Sequence, residues 1–158
     1  LDPLLGLARL KIDTTRTTLH ELREIIRARV AERESGEMSI MLQSFGFKHG
    51  VPRYADFVFD ARCLPNPHWH ADLRPHTGKD KLVADFLGND LQVRGLLTHI
   101  AEFLSHWIPC FEGEGRSYLT IAIGCTGGQH RSVFLVEELA QFFESQGRSV
   151  VCKHRELP

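Results

Sequence analysis

The residues best placed to do chemistry lie in one short stretch, Gly124-Cys125-Thr126-Gly127-Gly128-Gln129-His130-Arg131-Ser132, which gathers a thiol, two hydroxyls, an imidazole and a guanidinium around three glycines. It falls between an apolar run and the start of an amphipathic pattern. A glycine-rich turn from strand to helix leaves backbone N–H groups free at the positive end of the helix dipole, where an anion is stabilised. The candidates for holding a phosphate here are Cys125, Thr126, Gly127, Gly128, His130, Arg131 and Ser132.

The spacing Cys125-x-x-Gly128-x-x-Arg131-Ser132 also fits the phosphate loop of cysteine-dependent phosphatases. Such an enzyme needs a thiolate of lowered pKa, amides around the phosphoryl oxygens, an arginine that grips two of them and a hydroxyl that assists the thiol. Gly124 stands where those enzymes carry histidine, and no aspartate loop for a general acid follows. Covalent catalysis through Cys125, non-covalent phosphate binding, and a plain role for Cys125 as a small core residue therefore all stay open.

Further candidates flank this loop. Lys48 and His49 follow the apolar run 38–44, and Arg62 and Cys63 follow Phe57-Val58-Phe59. In open α/β sheets the loops after the carboxyl ends of strands carry the ligand sites. His68 and His70 flank Trp69 in a proline-stiffened loop, and no carboxylate or thiol cluster completes a metal set around them. They suit donation to an anion near neutral pH, or simple cover of the loop. Lys48, Arg62, Arg74, Lys79, Lys81, Arg148, Lys153 and Arg155 are individually ordinary surface charges, but several lie just beyond expected strand ends and could converge with Arg131 into one basic face. A phosphodiester backbone binds such a face by counterion release, and His49, Phe45 and Phe47 could stack on unpaired bases, although both phenylalanines also suit the core.

The elements that must position these groups are readable from periodicity. Runs at 38–44, 56–60, 118–123 and 149–152 have the length and composition of strands. Leu19, Leu22, Ile26 and Val30 mark a helix over about 18–33, opened by a capping box of Thr18 and Glu21. Val83, Phe86 and Leu87 mark a short helix, Leu91 to Trp107 a longer one ending near Pro109, and Ser132 to Glu144 another with Val133, Val136, Ala140 and Phe143 on one face. Strands alternating with helices predict an α/β sandwich around a mostly parallel central sheet flanked by helices. A polar linker at 32–37 divides the chain into 1–34 and 35–158, and the start at Leu1 suggests that the first part is the tail of a preceding domain.

Composition narrows the class. With 158 residues, 42% apolar and 25% charged, the chain suits a globular core, and a net charge of −1 gives no global pull toward nucleic acid. Four widely spaced cysteines without Cys-x-x-Cys, and no signal peptide, predict reduced thiols and a cytoplasmic location. No apolar run approaches the length that crosses a membrane.

Four motifs in order resemble one family. Ser44-Phe45-Gly46-Phe47-Lys48-His49-Gly50, Leu64-Pro65-Asn66-Pro67-His68-Trp69, Leu73-Arg74-Pro75-x-Thr77-Gly78 and Ile123-Gly124-Cys125-Thr126-Gly127-Gly128-x-His130-Arg131-Ser132-Val133 resemble the C-terminal domain of the RapZ/YvcJ family of bacterial P-loop nucleotide-binding proteins. The likeness runs from about residue 37 to the end. It implies a phosphofructokinase-like domain in a homotetramer, non-catalytic in itself, that regulates amino-sugar metabolism by sensing glucosamine-6-phosphate and, as an RNase adapter, delivering a small regulatory RNA to RNase E. Carried over by motif, His68, Thr126, Gly127 and Arg131 would hold the sugar phosphate. The RNA-facing set would be Lys48, His49, Arg62, Asn66, Arg74, Arg148 and Lys153, with the Thr126-to-Arg131 loop. Residues 1–34 would end the N-terminal kinase-like domain, where ATP or GTP would bind; no Gly-x-x-x-x-Gly-Lys-[Ser/Thr] occurs in this chain, and no cofactor or metal is expected in it. Two departures bear on RNA: Gln129 stands where the enterobacterial member has lysine, and the stretch ends at Pro158 without that member's basic tail.

Overall fold

The computed structural model describes residues 38–158 and, before them, residues 12, 14, 15, 17–19, 22, 23, 25 and 26. The expected helix over 18–33 is represented by Leu19, Leu22, Arg23, Ile25 and Ile26, all helical, with the Leu22 N–H donating to the Thr18 carbonyl. Its remainder, and the linker at 32–37, lie outside the described residues.

Two continuous apolar runs form the centre of the sheet because neither face of them meets water. β1 (Ser39–Gly46) and β3 (Tyr118–Cys125) are buried at every position and pair in parallel, with Ser39 opposite Tyr118 and Gly46 opposite Cys125. β2 (Phe57–Asp60) and β4 (Val150–His154) are the partly exposed edges, giving the order β2-β3-β1-β4 with every pair parallel. Both central strands run two residues past the expected ends: Phe45 and Gly46 belong to β1, and Gly124 and Cys125 to β3. Mutual pairing absorbs them, a long-range effect that local polarity does not register.

α1 (Lys81–Gly88), α2 (Leu91–Gly113) and α3 (Arg131–Ser145) follow the predicted pattern. Asp90 caps α2 by accepting the N–H groups of Gln92 and Val93 at 2.8 and 3.1 Å. α2 does not stop near Pro109 but continues one turn beyond it. Ile108 is fully buried and Phe111 packs edge-on against Phe57, so the apolar contacts of that turn outweigh the lost N–H.

Side chains on a strand alternate between faces. Ile40, Leu42, Leu119, Ile121 and Ile123 meet Val83, Leu87, Ile100, Leu104, Val136, Leu139 and Phe143 of the three helices in one core. The opposite face presents Met41, Gln43 and Thr120 to a small cavity that Pro52, Tyr54, Ala55 and Ile25 also line. The crossovers explain this division. β2 to β3 and β3 to β4 move across the sheet in one direction and β1 to β2 in the other, so right-handed connections send the helices to one face and residues 47–56 to the other. The chain therefore leaves β1 and β3, which are neighbours, toward opposite faces.

Candidate functional site

The opening between the carboxyl ends of β1 and β3 is a topological switch point, the place where open parallel sheets bind ligands. It forms because Gly46 faces Cys125 in register while the two outgoing chains diverge, and a single bond ties them: the Lys48 N–H donates to the Thr126 carbonyl at 3.3 Å. The approach demands glycine. A Cβ on Gly46 would stand 2.8 Å from the Gly127 carbonyl carbon, and one on Gly128, whose φ is +76°, would stand 2.5 Å from the Gly46 nitrogen.

Cys125 ends β3 at the floor of this opening. Its Sγ accepts the Gly128 N–H and lies 3.2 Å from the Ser132 hydroxyl, and the residue is only 2% exposed. Arg131 opens α3, yet its side chain runs inward, 4% exposed, with Nη1 donating to the carbonyls of Arg62 and Leu64 at 2.9 and 3.0 Å and Nη2 to the Thr126 hydroxyl at 3.3 Å. It staples the loop after β2 to the loop after β3. Its Nε is buried without a partner, as is Nε2 of His130. Burial holds the His130 imidazole below its ordinary range, outweighing the nearby His76, Arg74 and Leu73 carbonyls, which favour its proton.

The second wall comes from the proline-stiffened loop. Pro67–Trp69 forms a single 3-10 turn capped by Asn66, whose side-chain oxygen accepts the His68 N–H at 3.2 Å. The His68 ring lies 6.4 Å from that of His130. Gly78 lets the following loop close onto the start of α3: its N–H donates to the Gln129 carbonyl at 2.8 Å, and a Cβ there would stand 2.3 Å from the His130 carbonyl oxygen. Together these segments enclose a pocket of about 190 Å³ lined by Lys48, Asn66, His68, Cys125, Thr126, Gly127, Gln129, His130 and Arg131. No carboxylate lines it. Among the described residues no cluster of histidine, cysteine and acids could hold a metal, and no helix is long and apolar enough to cross a membrane.

Three motifs distant in sequence thus converge, with Gly128 and Ser132 beneath the floor rather than on it. The expected basic face is narrower than its residue types suggest. Lys48 is exposed and has no acidic partner among the described residues. Arg62 sits over the Phe47 ring, its guanidinium carbon 3.9 Å from the centroid, and is held by Asp60, whose carboxyl it keeps below the usual range. Arg74 donates to the His68 carbonyl, and His49 sits 3.8 Å from Glu156. Arg148 precedes β4, so it lies at the amino-terminal edge of the sheet, opposite the pocket, paired with Glu112 at 2.6 Å. Lys153 points to the face of Gln43, where it bonds the Thr17 hydroxyl. Neither of these two joins the face around Arg131. Arg155 does not add to it either, because its guanidinium pairs with Glu156 and donates to the Gly46 and Gly50 carbonyls. Phe45 is fully buried in the sheet, so it offers no ring for base stacking. Sequence reading missed Gln129 as a pocket wall and Glu156 as a neighbour of Gly46 and Gly128; a buried acid in a polar C-terminal stretch leaves no local signal.

An all-parallel α/β sheet thus carries, at its switch point, a glycine-lined pocket without a carboxylate. The chain belongs to the RapZ C-terminal domain family, which matches residues 38–158. It is 60% identical over all 158 residues to a nucleotide-binding protein of Methylococcus capsulatus, of which it covers 54%. It is 50% identical over the same span to a nucleotide-binding protein of Marinobacter nauticus, again covering 54%, and 49% identical over 157 residues to the RNase adapter protein RapZ of Serratia proteamaculans, covering 55%. The chain spans about half the length of these curated relatives.

Proposed function

We propose that this chain is the regulatory, non-catalytic domain of an RNase adapter, binding a phosphorylated amino sugar of the glucosamine-6-phosphate type in the switch-point pocket. The observation that carries the reading is the pocket itself: Lys48, Thr126, Gly127, His68, His130 and Arg131 converge without a carboxylate, and two buried nitrogens of His130 and Arg131 lack partners. Phosphoryl oxygens are the complement of such a site. Asn66 and Gln129 supply amide groups to orient sugar hydroxyls. A small regulatory RNA would cross the mouth of the same pocket on Lys48, His49, Arg62, Asn66 and Arg74, and RNase E would be the protein partner. Homo-oligomers would present several such faces, in the cytoplasm. ATP or GTP would be held by a segment outside this chain.

Titration calorimetry with glucosamine-6-phosphate tests the pocket. The reading predicts saturable binding that Thr126→Val and Lys48→Ala weaken; no heat from the native protein at millimolar ligand would overturn it. Filter binding of RNA at low and high salt, with Lys48→Ala, tests the RNA face: affinity that neither salt nor the substitution lowers would refute it. The thiol-hydroxyl pair of Cys125 and Ser132 favours one rival, a cysteine phosphatase. Turnover of a phosphomonoester that Cys125→Ser abolishes would establish the rival. The burial of that sulfur, only 2% exposed, supports the sensor instead.

A further inference from the structure

The two residues after β4 make contacts that neither the core nor the pocket wall requires. Arg155 is 9% exposed in its side chain and Glu156 4%, and they pair at 2.8 Å. Nη2 of Arg155 donates to the Gly46 carbonyl at 3.2 Å and to the Gly50 carbonyl at 2.6 Å. Those carbonyls bracket the turn that carries Lys48, which closes on itself through the Gly50 N–H to the Phe47 carbonyl. The same guanidinium stands 5.4 Å from the centroid of the Phe45 ring. Glu156 reaches the other half of the opening. Its Oε1 accepts the Gly46 N–H at 3.4 Å, its Oε2 lies 3.8 Å from Nε2 of His49, and its Cγ occupies the space a Cβ on Gly128 would need, at 2.4 Å. Burial pushes the Glu156 carboxyl up, and Arg155, the Gly46 amide and His49 outweigh it, so the group stays ionised beneath a pocket meant for anions.

A carboxylate so close to an anion site opposes binding unless its partner cancels the charge and its geometry is needed. Both conditions hold. Arg155 supplies the neutralising charge and ties both ends of the Lys48 turn, while Glu156 fills the contact between Gly46 and Gly128. We propose that Arg155 and Glu156 are positioning residues for the switch-point pocket: they form a buried clamp that sets the Lys48 turn against the Thr126–Gly128 turn and thereby fixes the pocket's affinity for a phosphorylated ligand. The inference rests on the anion-site reading above. It assigns a role to the C-terminal residues that touches no ligand and acts only through the two loops.

The test is a double-mutant cycle read by calorimetry on the whole chain, with glucosamine-6-phosphate and inorganic phosphate as probes. Arg155→Gln is expected to lower affinity about tenfold, within the coupling seen for residues that share a network. Lys48→Ala should then cost less in the Arg155→Gln background than in the native one, because the ammonium is already displaced. Lys81→Ala, on the exposed side of α1 and paired with Asp85, should cost nothing in either background. Amide exchange by NMR supplies a direct readout: the Lys48 N–H, bonded to the Thr126 carbonyl, should exchange faster in the variant. Should Arg155→Gln fail to fold, Arg155→Lys and Glu156→Gln, which change one charge-bearing group conservatively, carry the same cycle. A native protein that binds neither probe overturns the site reading and the inference with it. Native binding left unchanged by these variants, or a Lys48→Ala cost equal in both backgrounds, overturns the clamp alone.

Discussion

Replacing Arg131 tests whether the residue at the centre of the motif is a structural staple as well as a charge. Its Nη1 donates to the Arg62 and Leu64 carbonyls at 2.9 and 3.0 Å, and these bonds join chain segments almost 70 residues apart. A hydrogen bond to a charged group contributes roughly 1.5–3 kcal/mol net, and the truncated site also leaves buried carbonyls unpaired. The longer bond to Thr126 adds less. Arg131→Ala is thus expected to cost about 3–5 kcal/mol, a large part of the roughly 5–15 kcal/mol by which a domain is stable. Urea denaturation followed by far-UV circular dichroism measures it, with the slope checked for constancy so that the midpoint shift reports stability. Arg131→Lys keeps the charge but cannot present the fork, so its cost should fall between native and alanine. A midpoint shift for Arg131→Ala worth less than about 0.5 kcal/mol, the size of an ordinary surface substitution, would refute the staple. The consequence for function is practical: lost anion binding in Arg131→Ala would report both misplacement of the loops and removal of the charge. Lys48 is the cleaner probe.

Lys48→Ala should weaken glucosamine-6-phosphate about fivefold to tenfold, as expected for a charge-assisted contact, while the urea midpoint stays unchanged. Gly128→Ala should cost about 2–3 kcal/mol, because its φ is +76° and the new methyl meets the Gly46 nitrogen and Glu156; Gly127→Ala, with nothing within 4 Å, should leave stability near native. Burial holds the imidazoles of His130 and His154 below 6.5, in His154 against the pull of Glu137. The unfolded chain therefore takes up protons first, and the urea midpoint should fall as the pH drops through the ordinary histidine range, with a shallower fall in His154→Gln. Arg148→Ala, at the far edge of the sheet, should leave RNA and anion affinity unchanged in the same filter and calorimetric assays.

The Ser44–Gly50, Asn66–Trp69 and Gly124–Ser132 motifs were legible because each is a run of unusual residue types, and the fold brings all three to one pocket. Strand and helix types were legible for a related reason: β1 and β3 are continuous apolar runs and α3 has a helical stripe, and those periods express burial directly. The basic face was less legible. Eight cations, several of them just beyond expected strand ends, look equivalent in one dimension, yet Arg148 stands at the opposite edge and Lys153 on another face.

Composition and period alone determined the α/β class, the central strands and the place of the glycine-rich loop between a strand and a helix, since each depends on residues within a few positions of one another. The strand order, the switch point between β1 and β3, the inward turn of Arg131 and the clamp of Arg155 and Glu156 were decided only in three dimensions. The reason is physical: which polar group a side chain meets depends on the crossover face and the pairing register, and both follow from contacts made across more than a hundred residues, as between Gly46 and Glu156.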